Sequence, residues 1–439
     1  MVTRREFLDT LAVGAAGLAI GSTARSYGQI LGSNDRVNFA IIGLHGRGFA
    51  HLAALKANKD TARVSHVCDV DGDIMKRFVD HAEHELGYAP ATEKDFRRLL
   101  QLKDVDAITI ATPEQWHAPM AILGLQAGKN VYVEKPCSHN PAEGALLVQA
   151  QKKYGKLVQM GNQRRSNVLV IEAVDKIHNG LIGNPYFGKG WYSNTRKSIG
   201  VGKVIPVPPQ LDWELWQGPA PRRPYTDNIH PYNWHWFKLY GTGETLNNGT
   251  HEIDVCRWAM GVDYPQRITS SGGRYHFKDD WQFYDTLVTS FDYGDKLISW
   301  EGKCCNGMQY YGRDRGSTIM GTTGSMLIDG GGYEVYDLKG KKTSEVKAGQ
   351  ANASSDLTGE DSMTNAHFAN FIAAIRKGDK LNSPIAVGNV AVTMLQLSNI
   401  AWEVKRELHI DTKDGKILNS PEAMKLWSRE YEKGWEPHL

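Results

Sequence analysis

Apolar residues in the first third of the chain fall into short β-rich runs separated by longer stretches of helical spacing. Val37 to Ile42 is such a run, and it passes at once into Gly43-Leu44-His45-Gly46-Arg47-Gly48. Arg63 to Asp69, Ala107 to Ala111 and Asn130 to Val133 are further strand candidates. Helical stretches lie between them, among them Trp116 to Ala127, closed by Gly128. After the last run, Asn140-Pro141-Ala142-Glu143 supplies an N-cap, a first-turn proline and a capping-box acid. That helix runs toward Lys153 and stops at Gly155. Strand–helix alternation of this kind predicts an α/β fold with a doubly wound parallel sheet. Near the other end, Ala366 to Leu408 reads as two helices whose amphipathic pattern is one of packing.

The amino terminus follows a different pattern. Thr3-Arg4-Arg5-Glu6-Phe7-Leu8 precedes an apolar, Gly/Ala-rich run from Leu11 to Ile20, with small residues near Ala24. This resembles a twin-arginine export signal, so the mature protein is expected in the periplasm or otherwise exported. The run is too short and too glycine-rich for a membrane span. With residues 1–33 set aside as signal, about four hundred remain, enough for two domains. The division expected is 34–160 and 161–439. Formal net charge is +2 with no basic block, which argues against nucleic acid as a partner. The five cysteines are odd in number and contain no Cys-x-x-Cys, so no disulfide framework is expected.

Two segments of the first domain carry chemistry. In the glycine turn, Gly43 and Gly48 hold the first and third positions of a dinucleotide fingerprint, while His45 occupies the second. Asp69 follows Gly48 by twenty-one residues at a strand end, where a carboxylate accepts both ribose hydroxyls. Free amides at the helix start take the pyrophosphate. With Asp71 nearby and no adjacent arginine, the site favours NAD over NADP. Farther on, the strand ending in Glu134-Lys135-Pro136 delivers an amine to the carboxyl edge of the sheet, where such folds bind ligands. Proline after Lys135 keeps that residue extended. Thr112-Pro113 and His117 end the neighbouring strand beside the expected nicotinamide, although His117 could equally cap or pack its helix.

In the second half, Gly243 to Trp258 reads as one helix with Asn247, His251 and Asp254 on one face. Alcohol oxidation needs a base for the hydroxyl proton, and Lys135 with His251 forms the obvious pair. Asp254 would orient or polarise a partner. No third and fourth ligand at matching spacing accompanies His251 and Asp254, so no metal is expected. The segment Trp191 to Tyr240 is rich in aromatic rings able to stack on sugars, although core packing accounts for most of them.

These residues resemble the glucose–fructose oxidoreductase, inositol dehydrogenase and MocA (Gfo/Idh/MocA) family. The resemblance spans about residues 36 to 410. It is carried by Gly43–Gly48, Thr112-Pro113 with His117, Glu134-Lys135-Pro136, Met160-Gly161-Asn162-Gln163-Arg164-Arg165, Asp212 to Pro219 and Gly243 to Asp254. It implies a Rossmann domain followed by an α/β domain with a large open, mostly antiparallel sheet. It further implies Asn162, Gln163 and Glu134 near the cofactor, Arg164, Tyr192 and Trp236 near a carbohydrate substrate, and a homo-oligomer, dimer or tetramer. The family usually has an acid where Asn247 stands. A neutral amide holds a sugar hydroxyl but relays no proton, which ranks Lys135 first as base and His251 second. The expected function is an exported NAD-dependent oxidoreductase acting on a sugar or glycoside. The alternative is an NAD-dependent glycoside hydrolase that uses transient oxidation at C3 followed by elimination.

Overall fold

A computed structural model describes residues 36–348, 361–418 and 420–439; the expected signal at 1–33 lies outside them. The first domain alternates β1 (Val37–Ile42), α1 (Gly46–Ala57), β2 (Ala62–Cys68), α2 (Gly72–Leu86), β3 (Ala91–Glu93) and α3 (Phe96–Leu100). It continues through β4 (Ala107–Ile110), α4 (His117–Gln126), β5 (Asn130–Val133), α5 (Pro141–Tyr154) and β6 (Val158–Met160). All strand pairs are parallel, in the order β3-β2-β1-β4-β5-β6. Strand order therefore reverses between β1 and β4, and the crevice outside their carboxyl ends is the ligand position in such sheets. β1 and β5 match their predicted bounds. The short β3 and β6 escaped prediction because three residues show no periodicity. Helix α5 keeps the expected start: Asn140 Oδ1 accepts the Glu143 amide at 3.1 Å, and Gly155 ends it in the left-handed region.

The second half contributes α6 (Val168–His178), β7 (Pro185–Thr195), α7 (Trp213–Gln217), α8 (Gly243–Asn247) and α9 (Gly249–Met260). Ten further strands follow: β8 (Arg267–Gly273), β9 (Thr286–Asp292), β10 (Leu297–Lys303), β11 (Cys305–Asn306), β12 (Arg315–Gly321), β13 (Ser325–Asp329), β14 (Gly332–Tyr336), β15 (Lys342–Lys347), β16 (Leu408–Ile410) and β17 (Ile417–Leu418). With β7 they form an eleven-stranded sheet in which only β7 and β10 run parallel. The helix expected over Gly243–Trp258 is two helices broken at Asn248. Asn247, Asn248 and Gly249 are weak helix formers in succession, which explains the break.

Residues 196–242 form an ordered arm that docks on the first domain. Gly72 N donates to Gln210 O at 3.0 Å, Asp212 N to Val70 O at 3.0 Å, and Trp116 Nε1 to Trp216 O at 3.1 Å. The arm has its own core of Leu211, Trp213, Trp216, Tyr225, Ile229, Phe237 and Tyr240. Most of the aromatic rings in this stretch are therefore packing groups.

Two late helices, α10 (Ser362–Lys377) and α11 (Ile385–Val404), answer to the predicted pair. Phe368, Phe371 and Ile372 of α10 share a core with Phe39 and Val64 of the first domain, and Phe368 stacks on Tyr132 at 4.3 Å. A division of the chain at residue 160 is thus not the division of the packing. Helix α11 is apolar and long enough to cross a membrane, yet 78% of its apolar window is buried inside the protein. Its Leu395 and Leu397 join Leu147 of α5 to Ile268 of β8 in one core. Replacing Leu395, fully buried, with alanine should cost about 2–5 kcal/mol. A single lowered urea midpoint, reported alike by probes in both domains, is the expected result.

Candidate active site

The cavity of about 750 Å³ at the carboxyl ends of β1 and β4 lies within the usual ligand-site range. Its first-domain wall contains Gly43, His45, Gly46, Arg47, Asp69, Thr112, Pro113, His117, Glu134 and Lys135. Gly43 has φ +88°, and a Cβ there would lie 2.6 Å from the Ala111 carbonyl; at Gly48 it would lie 2.4 Å from Gly43 O. The missing side chains let the turn close against β4 and α1. No side chain caps α1; the Gly48 amide donates to His45 O at 2.7 Å, and the Gly46 and Arg47 amides ahead of it are left for an anion. Asp69 accepts the Leu44 amide at 2.7 Å and the Asp71 amide at 3.0 Å, so Leu44 contributes its backbone only. Burial, with Asp71 adding repulsion, pushes the Asp69 carboxyl up to about 6. Thr112 Oγ1 and His45 Nε2 are buried without partners among the described residues. Carboxylate, free amides and unpartnered donors together fit a dinucleotide.

Glu134 is the knot of this wall. Its Oε1 accepts Arg47 Nε at 2.7 Å, Gln163 Nε2 at 3.1 Å and faces His51 Nε2 at 3.1 Å. Burial alone would raise this carboxyl, but Arg47 and His51 hold it well below its ordinary value. His117 bridges the strand ends, with Nδ1 2.6 Å from Pro136 O and Nε2 2.9 Å from Thr112 O. Both ring nitrogens are thus engaged by backbone, so this histidine positions the edge of the cavity.

Lys135 projects across to the second domain, where Nζ donates to Asn247 O at 2.5 Å and Asn247 Oδ1 at 3.1 Å. Burial lowers its pKa, partly offset by Glu134 and Glu114. Glu114, buried and bonded to Thr242, is shifted upward by the same desolvation. His251 lines the cavity with Nδ1 buried and unpartnered among the described residues. Burial, then Lys135, Arg315 and Arg164, hold its pKa well below the ordinary histidine value, so the ring is neutral.

Three expected site residues stand elsewhere. Asp254 does not line the cavity; it accepts Arg165 Nε at 2.6 Å and Arg165 Nη2 at 2.9 Å, with Arg257 at 3.4 Å. Breaking the helix at Asn248 separated it from the face of Asn247. Trp236 is buried against Trp281, ring centroids 4.0 Å apart, under the Arg196 guanidinium. Asn162 is buried outside the cavity lining, whereas its neighbours Gln163 and Arg164 line it.

The lining also includes Glu114, Arg196, Trp216, His230, Tyr232, Trp234, His235, Asn248, Arg313, Asp314, Arg315, Asp329 and Asp361, beside the expected Tyr192. Glu114 sits within the Thr112–His117 motif and was within reach of sequence reasoning. The arm residues were not, since nothing local announces that the arm folds back. At the turn end of the cavity, His45, Asp71 and His230 bring three potential ligand atoms within 4.8 Å of one another.

Residues 37–162 match the family model for the oxidoreductase family with an NAD-binding Rossmann fold, GFO_IDH_MocA. That match spans the whole parallel sheet of the first domain. Among curated relatives, a glycosyl hydrolase family 109 protein of Saccharopolyspora erythraea is 31% identical over 217 residues, 45% of this chain and 47% of the relative. One from Shewanella baltica is 27% identical over 214 residues, 44% of this chain and 46% of the relative. The chain thus spans about half the length of the curated relatives it matches. Among solved structures, levoglucosan dehydrogenase with NADH and levoglucosan superposes with a TM-score of 0.65 at 18% identity, covering 85% of this chain and 99% of that one. The WlbA dehydrogenase of Bordetella pertussis with NADH and UDP-GlcNAcA gives 0.63 at 17%, covering 86% and 99%. At these identities the likeness is one of fold: a Rossmann domain joined to an open-sheet domain.

NAD affinity should be flat well above pH 6 and fall as pH drops through about 6, because protonating Asp69 removes the charged acceptor for the ribose hydroxyls. Titration calorimetry across that range should show the fall, and Asp69→Asn should abolish it while weakening binding about tenfold. Asp254→Ala should leave Arg165 buried and unpaired, at a cost of about 3–5 kcal/mol. Thermal denaturation should report that loss, with KM unchanged in the folded fraction.

Proposed function

We propose that this protein is an NAD-dependent enzyme that moves a hydride between a hydroxyl-bearing carbon of a sugar or glycoside and nicotinamide. The observation that carries this reading is Lys135, a desolvated amine in the same cavity as the dinucleotide cradle, held across the domain interface by Asn247. NAD bound along Gly43–Gly48 and Asp69 supplies the hydride acceptor. The protein's own part is proton handling and orientation. A hydroxyl that gives up hydride from its carbon must also give up its proton. Burial favours the neutral form of Lys135, whose two N–H groups donate to the two oxygens of Asn247. The remaining lone pair on Nζ takes the substrate proton. Neutral His251 offers Nδ1 to a neighbouring hydroxyl, and the Tyr192 and Trp234 rings flank the same space. The carbohydrate ligands of the solved neighbours support this substrate class. Export by the twin-arginine segment and assembly as a homo-oligomer belong to the same reading.

The family 109 names of the curated relatives favour a second reading, a redox-neutral glycosidase. There the same Lys135 chemistry at C3 would acidify the C2 proton, elimination would release the aglycone, water would add to the resulting double bond, and the C3 ketone would be reduced again by the hydride first removed.

Purified protein loaded with NAD and offered a panel of glycosides and free sugars distinguishes them. Reduced-nicotinamide absorbance with the sugar skeleton intact is the expected outcome. Aglycone release without net cofactor change would establish the glycosidase, and failure to bind NAD would overturn both readings. Lys135→Ala should lower kcat about a hundred- to ten-thousandfold while retaining NAD affinity.

A further inference from the structure

Charge on the second-domain wall of the cavity is not balanced by the protein itself. Arg164 Nη2 donates to Glu252 at 2.8 Å, and Arg315 donates to the same carboxylate from Nε at 2.8 Å and Nη2 at 3.1 Å. Two guanidiniums therefore share one fully buried carboxylate. Beyond Glu252, Arg315 Nη1 donates to a neutral amide, Asn248 Oδ1, at 3.3 Å, and the guanidinium lies over the Tyr192 ring at 5.4 Å. Arg164 Nη1 is buried with no partner among the described residues. Lys135 rests on Asn247, a neutral amide, so this pair brings no negative charge to the wall.

Neighbouring ionic groups are already matched. Arg196 is bound by Glu244 and Glu134 by Arg47, and Asp329 and Glu334 are met by two cations, Arg313 and Lys342. Glu114, the other acid acting on Lys135, is itself buried and bonded to Thr242. The other acid beside Arg315, Asp314, is exposed to solvent, so the buried part of the wall keeps two guanidiniums on one carboxylate, which is unfavourable until an anion is supplied. Planar guanidinium donors beside a sugar site are suited to an oxyanion.

We propose that the substrate is an acidic carbohydrate whose oxyanion substituent, a carboxylate or a phosphate, is held at the Arg164–Arg315 side of the cavity. The inference rests on the carbohydrate reading above and narrows it. A monoanion matches the excess left by two guanidiniums on one carboxylate, so a uronate carboxylate is the better complement. Arg315 lines the cavity and is the contact group, whereas Glu252 sets the orientation of both guanidiniums from behind.

The test is calorimetric binding to NAD-loaded protein of matched sugars: glucuronate and galacturonate, the corresponding hexose phosphates, and neutral glucose and galactose. The acidic member of a matched set should bind about ten- to hundredfold more tightly than the neutral one. The gap should narrow at high salt. Which acidic class binds better identifies the substituent. Arg315→Gln should close the gap, and Arg315→Lys should restore part of it. The comparison on unmodified protein stands alone should either variant fail to fold. Equal or tighter binding of the neutral sugars would overturn the oxyanion site and leave the carbohydrate reading intact. No sugar binding of either class by protein that still holds NAD would remove the carbohydrate reading and this inference with it.

Discussion

A single buried carboxylate, Glu134, holds the cofactor turn and the reactive lysine in one frame. It is 4% exposed, and a charge so placed is tolerable only when paired. Its partners come from two elements: Arg47 and His51, one turn apart at the start of α1, and Gln163 beyond β6. Gly161 passes so close that a Cβ there would lie 2.8 Å from the carboxylate. The residue that follows in sequence is Lys135, so the direction of that amine is set by the same ion pair that locates the turn. The cofactor cradle and the amine proposed as proton acceptor are therefore mechanically one unit.

The second domain repeats the device along helix α9. Glu252 is gripped by Arg164 and Arg315, and Asp254 by Arg165 and Arg257. Arginines from the segment after β6 thus fasten α9 against the first domain, so that His251 and Asn247 face Lys135. Acids on this helix serve as anchors, and the groups left to meet a ligand are neutral or cationic. That arrangement explains how a histidine flanked by carboxylates in sequence is nonetheless surrounded by positive charge in space.

Substantial parts of this arrangement were legible beforehand. The glycine turn, Asp69 and the strand leading to Lys135 are local signals: one chain segment supplies both the geometry and the chemistry. The capped helix after Asn140 is of the same kind. Asp254 and Trp236 were misplaced because their partners, Arg165 and Trp281, are remote in sequence. Helical periodicity gave a face for Asp254, and two asparagines with a glycine then broke that helix. His230 and Trp216 were invisible as site residues for a related reason: the arm carrying them reaches the cavity only by docking on Val70 and Trp116.

Sequence alone determined the parallel first sheet, the glycine turn, the acid after β2 and the lysine after β5. Each follows from short-range rules of strand period, turn conformation and helix capping, which act within a few residues. Tertiary structure decided which charges remain unpaired. Whether Asp254 reacts or anchors, whether His251 is neutral, and whether Arg315 has a carboxylate to itself depend on burial and on partners brought together by long-range packing. Desolvation and Coulomb energies are set by distance in space, and the linear order of residues does not encode that distance directly.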